Sequence, residues 1–251
     1  MGVKNGGKVI LARMEQPDRW AVVLAGGEGS RMRPFIESWL GRHLPKQYCA
    51  FKGTRTMIEH TMTRAVDAVG SEKIVTVIGS GHWRHLDEPR RLEIPGRIVE
   101  QPENRDTGPG LFLGLSRGMA ADPDALVAVL PSDHYVSSRR RFATHLRRAF
   151  ALAGRLPESI VLLGVRPDRP ETDYGWIETG GPCWDLPWPA QPVARFHEKP
   201  HPQAAENMMR WGFLWNTMVM VGRVQAFWEL GKRNHPAMME RFEALRASLA
   251  R

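Results

Sequence analysis

The feature that most limits the fold of this chain is a set of short apolar runs that do not alternate. "WAVVLA" (20–25), "KIVTVI" (73–78), "ALVAVL" (125–130) and "SIVLLGV" (159–165) are apolar at nearly every position. A strand with one wet face alternates apolar and polar side chains, whereas a strand covered on both faces does not. Helical spacing lies between these runs: "TMIEHTMTRAVDAV" (56–69) puts Met57, Ile58, Thr61, Met62, Ala65, Val66 and Val69 on one face, and further helical stretches fall near 109–121 and 139–153. "RIVEQ" (97–101) adds another strand. The alternation predicts class α/β, with a Rossmann-like mixed, mainly parallel sheet and helices on both faces. After Pro167 the texture changes to "YGWIE" (174–178), a Pro/Gly/Trp loop (180–192), "VARFHEKP" (193–200), a helix around 202–211 and "FLWNTMVMV" (213–221). The expected organisation is an N-terminal extension over 1–19 and one domain over 20–251. That domain comprises a first half (20–166), a smaller lobe (167–222) returning strands to the same sheet, and C-terminal helices (223–251).

Composition narrows the function. The 251 residues are 42% hydrophobic and 25% charged, which suits a folded domain with a sizeable core. No apolar run approaches the roughly 18 residues of a membrane helix, and "MGVKNGGKVILARMEQPDRW" lacks an apolar h-region and cleavage site, so a cytoplasmic protein with no membrane partner is expected. Cys49 and Cys183 sit in no C-x-x-C or zinc spacing and read as reduced thiols. The net charge of +8 could suggest nucleic acid, but the densest basic run, "RRRFATHLRR" (139–148), interleaves Phe142, Ala143 and Leu146 as a solvated amphipathic helix does. No nucleic-acid partner is expected, and the surplus charge suits a small anionic substrate. The histidines show no H-x-x-x-H or H-E-x-x-H spacing. "GLSRG" (114–118) fits the G-x-S-x-G of a serine-hydrolase elbow, yet Ser116 follows a Thr-Gly-Pro helix start rather than a strand.

In open α/β sheets ligands bind beyond the carboxyl ends of strands, so the polar residues following each strand form the candidate site. After the first strand come Gly26, Gly27, Gly29, Ser30 and Arg31; glycines let backbone N–H groups approach phosphate oxygens, and an arginine fork takes a phosphate bidentately. A plain tight turn is the alternative. Neither a G-x-G-x-x-G fingerprint nor a Walker motif is present, since Met32 stands where the former needs glycine. "LPKQ" supplies Lys46, either a phosphate ligand or an ordinary surface lysine. Asp133 ends "LPSD" after an apolar strand, placed to hold Mg²⁺ or to cap a helix. "QPENRDTG" offers Arg105, Thr107 and backbone groups to a base or ribose, or else a capped helix start at Thr107. "HEKP" pairs Glu198, suited to a sugar hydroxyl, with Lys199, suited to a phosphate.

Together these segments resemble the nucleotidyltransferase family that makes nucleotide sugars, and most closely its mannose-1-phosphate guanylyltransferase branch. "LAGGEGSRMRPF" is similar to the family's Leu-Ala-Gly-Gly-x-Gly-Thr-Arg-Leu-x-Pro-Leu. "LPKQY", "EQPENRDTGPG", "LPSDH", "TDYGWIE", "RFHEKP" and "LWNTMVMV" resemble its later segments in the same order. Met218 stands where that pattern has glycine, a departure that bears on the shape of the sugar pocket. The family's metal-sharing Asp in a Trp-x-Asp-x-Gly context does not occur before Arg251, nor does a β-helix or cupin-like tail. The resemblance implies the nucleotide-diphospho-sugar transferase fold, with 20–166 as nucleotide-binding half and 167–222 as sugar-phosphate lobe. It implies GTP and mannose 1-phosphate as substrates, Mg²⁺ as cofactor on Asp133, and catalysis by Arg31, Lys46, Asp133 and Lys199. Leu24, Ala25 and Gly26, with Gln101, Arg105 and Thr107, would take the guanine and ribose, and Gly175, Glu198 and Asn216 the sugar. A homodimer stays open. So does a non-catalytic homologue that binds nucleotide or nucleotide sugar, or a pyrophosphorylase for another NTP and hexose 1-phosphate.

Overall fold

The computed structural model describes residues 17–86, 94–119, 122, 124–183 and 185–249. Its strands are β1 (Arg19–Ala25), β2 (Ile74–Ile78), β3 (Arg97–Glu100), β4 (Leu126–Pro131), β5 (Val161–Val165), β6 (Gly175–Thr179), β7 (Val193–Glu198) and β8 (Leu214–Arg223). Its helices are α1 (Arg33–Leu40), α2 (Met57–Val69), α3 (Thr107–Met119), α4 (Arg139–Arg155), α5 (Pro202–Arg210), α6 (Val224–Asn234) and α7 (Pro236–Leu249). The eight strands form one sheet in the order β3-β2-β1-β4-β8-β6-β7, with β5 pairing β8. The four on the β3 side are mutually parallel, and β8 enters antiparallel to β4. The expected mixed, mainly parallel sheet is the one observed.

Side-chain alternation within the central strands supplies two cores. Ala21, Val23 and Ala25 of β1 and Leu126, Ala128 and Leu130 of β4 face one way, where Ile36 of α1, Ile58 and Met62 of α2, and Leu146 and Phe150 of α4 cover them. Val22, Val127 and Val129 face the other way, beneath Leu111, Phe112 and Leu115 of α3, Phe227 and Trp228 of α6, and Met239 of α7. Both faces are dry, so the run of apolar residues is continuous in sequence. A third, smaller cluster of Trp176, Ala205 and Met208 lies under β6 and α5.

The predicted helices appear within a few residues of their expected bounds. On α2 Met57, Ile58, Thr61, Met62 and Ala65 are buried as the spacing predicts, but Val66 is 38% exposed and Arg64 is buried. Helix α1 has a single buried side chain, Ile36, and so leaves little apolar periodicity to read. Ser116 is buried inside α3 and donates to the Phe112 carbonyl at 2.7 Å, which excludes a nucleophile elbow.

The topology makes a cleft. The parallel registers pair Ala25 with Ile78, Ile78 with Glu100 and Leu24 with Pro131, so the loops after these strands share one rim. On β8, β5 already takes partners at Trp215, Met220 and Val221, so β4 and β6 must lie along the opposite edge. They occupy its two ends: β4 reaches Met220 and β6 reaches Trp215. Asn216 to Val219 therefore border a gap where β4 has ended and β6 has yet to begin.

Candidate functional site

Beyond β1 the chain turns through Gly26–Gly29 into a short 3₁₀ turn, Ser30–Met32. Buried Gln47 fixes this turn, its Nε2 donating to the carbonyls of Ala25 and Gly27, each at 2.8 Å. Gly29 has φ 62°, and a Cβ there would stand 3.0 Å from the Lys46 nitrogen, so the position needs glycine twice over. The Gln101 amide packs against Gly26 and Gly110, bringing the third loop of the rim onto the first. Glu28 is exposed and reaches buried His82. Its Oε1 accepts from His82 Nε2 at 2.9 Å, while His82 Nδ1 lies 3.2 Å from the Tyr48 hydroxyl and 3.3 Å from the Gly79 N–H. The Ala25 carbonyl also lies 3.3 Å from Nδ1, so this nitrogen faces two donors and an acceptor. Burial pushes the Glu28 carboxyl up, but the His82 hydrogen bond and the charges of His82, His43 and Arg84 outweigh it and leave it below the usual range.

Lys46 and Asp133 come from different loops and meet. Lys46 Nζ donates to Asp133 Oδ2 at 3.2 Å, and His134 Nε2 lies 3.7 Å from Asp133 Oδ1. Burial holds the His134 imidazole below its ordinary range, with Asp133 opposing and Lys46 and Arg64 reinforcing. Arg31 Nη1 reaches the Asp173 carbonyl at 3.5 Å and so spans toward β6. Thr107 opens α3 directly after Asp106, whose φ is 66°. Arg105 is not gathered in: it is exposed and paired with Glu103 at 2.7 Å.

On the opposite bank, Gly175 of β6 stands in register with Glu198 of β7 and packs against Asn216 of β8. Lys199 follows with φ 43°, its Nζ 3.8 Å from Glu198 Oε1 and both side chains exposed. The Asn216 Oδ1 accepts from the Met218 N–H at 2.9 Å, and its Nδ2 lies 3.3 Å from Met218 Sδ. Met218 itself has φ 56°. Asp106, Lys199 and Met218 are the non-glycine residues with positive φ among those described, and each lies in or beside a segment the sequence offers as a binding site. Such a conformation costs about 1–3 kcal/mol at each position and gathers at functional sites.

Among the described residues no group of three or more His, Cys, Asp or Glu could hold a metal ion. A Mg²⁺ at Asp133 would complete its shell from substrate phosphates and water, as that ion commonly does. Gln47, Glu28 and His82 are absent from the reading of the strand ends. Gln47 directly follows Lys46, Glu28 lies inside the glycine turn, and His82 follows β2, so the rule that collects residues beyond strand ends reaches it.

Fold and site together define an α/β domain with a glycine-rich turn and a lysine–aspartate pair beyond its parallel strands, and Gly175, Glu198 and Asn216 grouped on the antiparallel side. The chain belongs to the nucleotidyl transferase family, whose description fits residues 20–249. It is 32% identical over 239 residues to the mannose-1-phosphate guanylyltransferase of Escherichia coli K12, covering 92% of this chain and 48% of that protein. It is 33% identical over 221 residues to the alginate biosynthesis protein AlgA of Pseudomonas fluorescens, covering 86% and 44%. The chain thus spans about half the length of the curated relatives it matches. The crystal structure of a mannose-1-phosphate geranyltransferase from Thermus thermophilus superposes with a TM-score of 0.76 at 31% identity, covering 92% of this chain and 64% of that one.

Proposed function

We propose that this chain joins GTP and mannose 1-phosphate to give GDP-mannose and pyrophosphate. The observation that carries the reading is the meeting of Lys46 and Asp133 at 3.2 Å beside the glycine turn, a cation and a carboxylate brought together from separate strand ends. Residues 20–166 act as the nucleotide-binding half and 167–222 as the sugar-phosphate lobe. The guanine lies against the backbone of Leu24, Ala25 and Gly26 and the segment of Gln101 and Thr107; Arg105 joins only by leaving Glu103. The loop of Gly26, Gly27, Gly29 and Ser30 cradles the triphosphate.

A phosphate oxygen of mannose 1-phosphate attacks the α-phosphorus of GTP in line. The bond to the bridging oxygen breaks, and that oxygen leaves on pyrophosphate. Such a transfer needs positioning and charge neutralisation more than covalent help. Arg31 stabilises the charge that develops on the leaving pyrophosphate. Lys46 turns from Asp133 to the α-phosphate when nucleotide enters, and Lys199 holds the sugar phosphate. Glu198, Asn216 and the Gly175 backbone take the sugar hydroxyls. A Mg²⁺ held by Asp133 and the triphosphate would neutralise phosphate charge.

A pyrophosphate-release matrix of the common NTPs against several sugar 1-phosphates tests the reading. GTP with mannose 1-phosphate is expected to give the highest kcat/KM. A different leading pair reassigns the substrates, and GTP binding without release from any pair indicates a non-catalytic binding homologue.

A further inference from the structure

The chemistry above makes no use of Arg64, yet Arg64 is among the most costly residues in the molecule to place. It is 7% exposed, and burial alone pushes its guanidinium down to about 10. Its partners among the described residues are the Thr61 hydroxyl at 2.6 Å, the His134 carbonyl at 3.0 Å and the Phe142 ring, 5.5 Å from the guanidinium carbon. None is a carboxylate. An apolar side chain of similar length would fill the space without a desolvation penalty, so the charge calls for another account.

That account lies in what the guanidinium holds. Thr61, fully buried and one turn before Arg64 on α2, has its hydroxyl 3.3 Å from the Ser132 carbonyl and 3.1 Å from that of Met57. The His134 carbonyl thus accepts from the Arg64 guanidinium, and the Ser132 carbonyl shares the one Thr61 hydroxyl proton with that of Met57, both side chains coming from one helix. The Ser132 N–H is tied as well, to the Leu24 carbonyl at 3.0 Å. A cation that binds main-chain carbonyls leaves the Asp133 carboxylate unclaimed. Lys46, by contrast, is bonded to that carboxylate and must release it to serve a phosphate.

We propose that Arg64 is a positioning residue, which with Thr61 holds the 132–134 main chain so that the Asp133 carboxylate stays aimed at a bound cation once Lys46 has moved away. The proposal rests on the reading of Asp133 as the metal-binding carboxylate.

The test compares Arg64→Met, Arg64→Lys, Thr61→Val and Thr61→Ser with the parent chain. Calorimetry reads GTP binding with and without Mg²⁺, turnover reads the Mg²⁺ concentration at half-maximal rate, and melting reads stability. Arg64→Met is expected to bind GTP without Mg²⁺ within about twofold of the parent while needing about tenfold more Mg²⁺, the size of effect seen when a partner behind a metal ligand is lost. KM for mannose 1-phosphate should stay within about twofold. Arg64→Lys, which keeps the charge and loses the fork, should fall between. Thr61→Val should shift Mg²⁺ demand in the same direction by about threefold and Thr61→Ser should restore it, which carries the test if Arg64→Met fails to fold. On an Asp133→Asn background Arg64→Met should add nothing. Parent-like Mg²⁺ titration by Arg64→Met and Thr61→Val, or an equal loss of GTP affinity with and without Mg²⁺, overturns the proposal. A parent chain that releases no pyrophosphate from any pair defeats the proposed reaction alone, because the Mg²⁺-dependent gain in GTP binding still reports on Arg64. A parent chain that shows no such gain defeats the positioning role.

Discussion

The two banks of the cleft are built by opposite means. On the phosphate bank the backbone is clamped by buried polar side chains: Gln47 takes two carbonyls of the glycine turn, His82 takes Glu28, and the turn packs against Lys46. On the proposed sugar bank Glu198 and Lys199 are exposed and Asn216 is half-buried. Glu198 and Lys199 close an edge strand whose residues are nearly all solvent-facing, and position comes from register and from left-handed backbone at Lys199 and Met218. A triphosphate asks for many fixed N–H groups and cations at once, which favours preorganisation from within the core. A sugar asks for a few hydrogen bonds of definite direction, which an edge can supply. On the proposed assignment, affinity for the nucleotide would be preorganised from within the core, and contacts to the sugar would come from an edge strand.

The largest test is the residue both banks need. Asp133→Asn is expected to lower turnover by about 10³ or more, with excess Mg²⁺ restoring little, because no group of three or more His, Cys, Asp or Glu among the described residues could hold the ion in its place; steady-state assays across a Mg²⁺ series check it. Titration like the parent would move the metal to another residue. Next, Lys46→Ala and Arg31→Ala should each cost about 10² in kcat, since each removes a cation from the place where charge develops, and unchanged rates would strip the phosphate bank of its proposed role. On the other bank, Lys199→Met should raise KM for mannose 1-phosphate about tenfold with GTP affinity nearly unchanged by calorimetry. An equal loss of GTP affinity would erase the division between the banks.

The smallest effect concerns acid. Burial first, then the charges of Arg84, His82 and Arg42, bring His85 from 6.5 to about 4. The folded imidazole stays neutral while the unfolded one takes up a proton. Stability is therefore undiminished above pH 6.5 and is lost as pH falls through the window down to about 4. Glu28, lowered below 4.5, acts in the same direction at the bottom of that range. Both lie on the phosphate bank, so hydrogen exchange at about pH 5 should rise first around residues 22–31 and 79–85, and His85→Phe should flatten the change. Earlier opening of 193–216 would contradict the contrast.

Much of this was legible in the sequence because its signals are local. A strand dry on both faces must be apolar throughout, so β1, β2 and β4 announce themselves, and the residues that follow them are found by counting. Lys46, Asp133 and Glu198 could be named as candidates from the residues, and Gly175 and Asn216 only from the family resemblance; the structure joins Lys46 to Asp133 and sets Gly175 beside Glu198 and Asn216. Arg105 shows the limit: it lies in the right loop but turns to Glu103, a choice no spacing encodes. Arg64 shows the reverse. Helical spacing offers Val66 to the core, yet α2 lies against the 132–134 loop, where carbonyls need donors, and so it buries the arginine instead.

Periodicity and turn chemistry act over a few residues, so the layers, the strand ends and the kinds of side chain at the rim follow from the chain alone. Which of those side chains meet is a matter of tertiary packing. The insertion of β8 antiparallel beside β4, with β6 beginning where β4 ends, opens the gap at Asn216 to Val219. The pairing of Lys46 with Asp133 joins residues 87 apart in the chain. Contacts of that range depend on strand order and helix docking, which are settled by the burial of whole faces rather than by any local pattern.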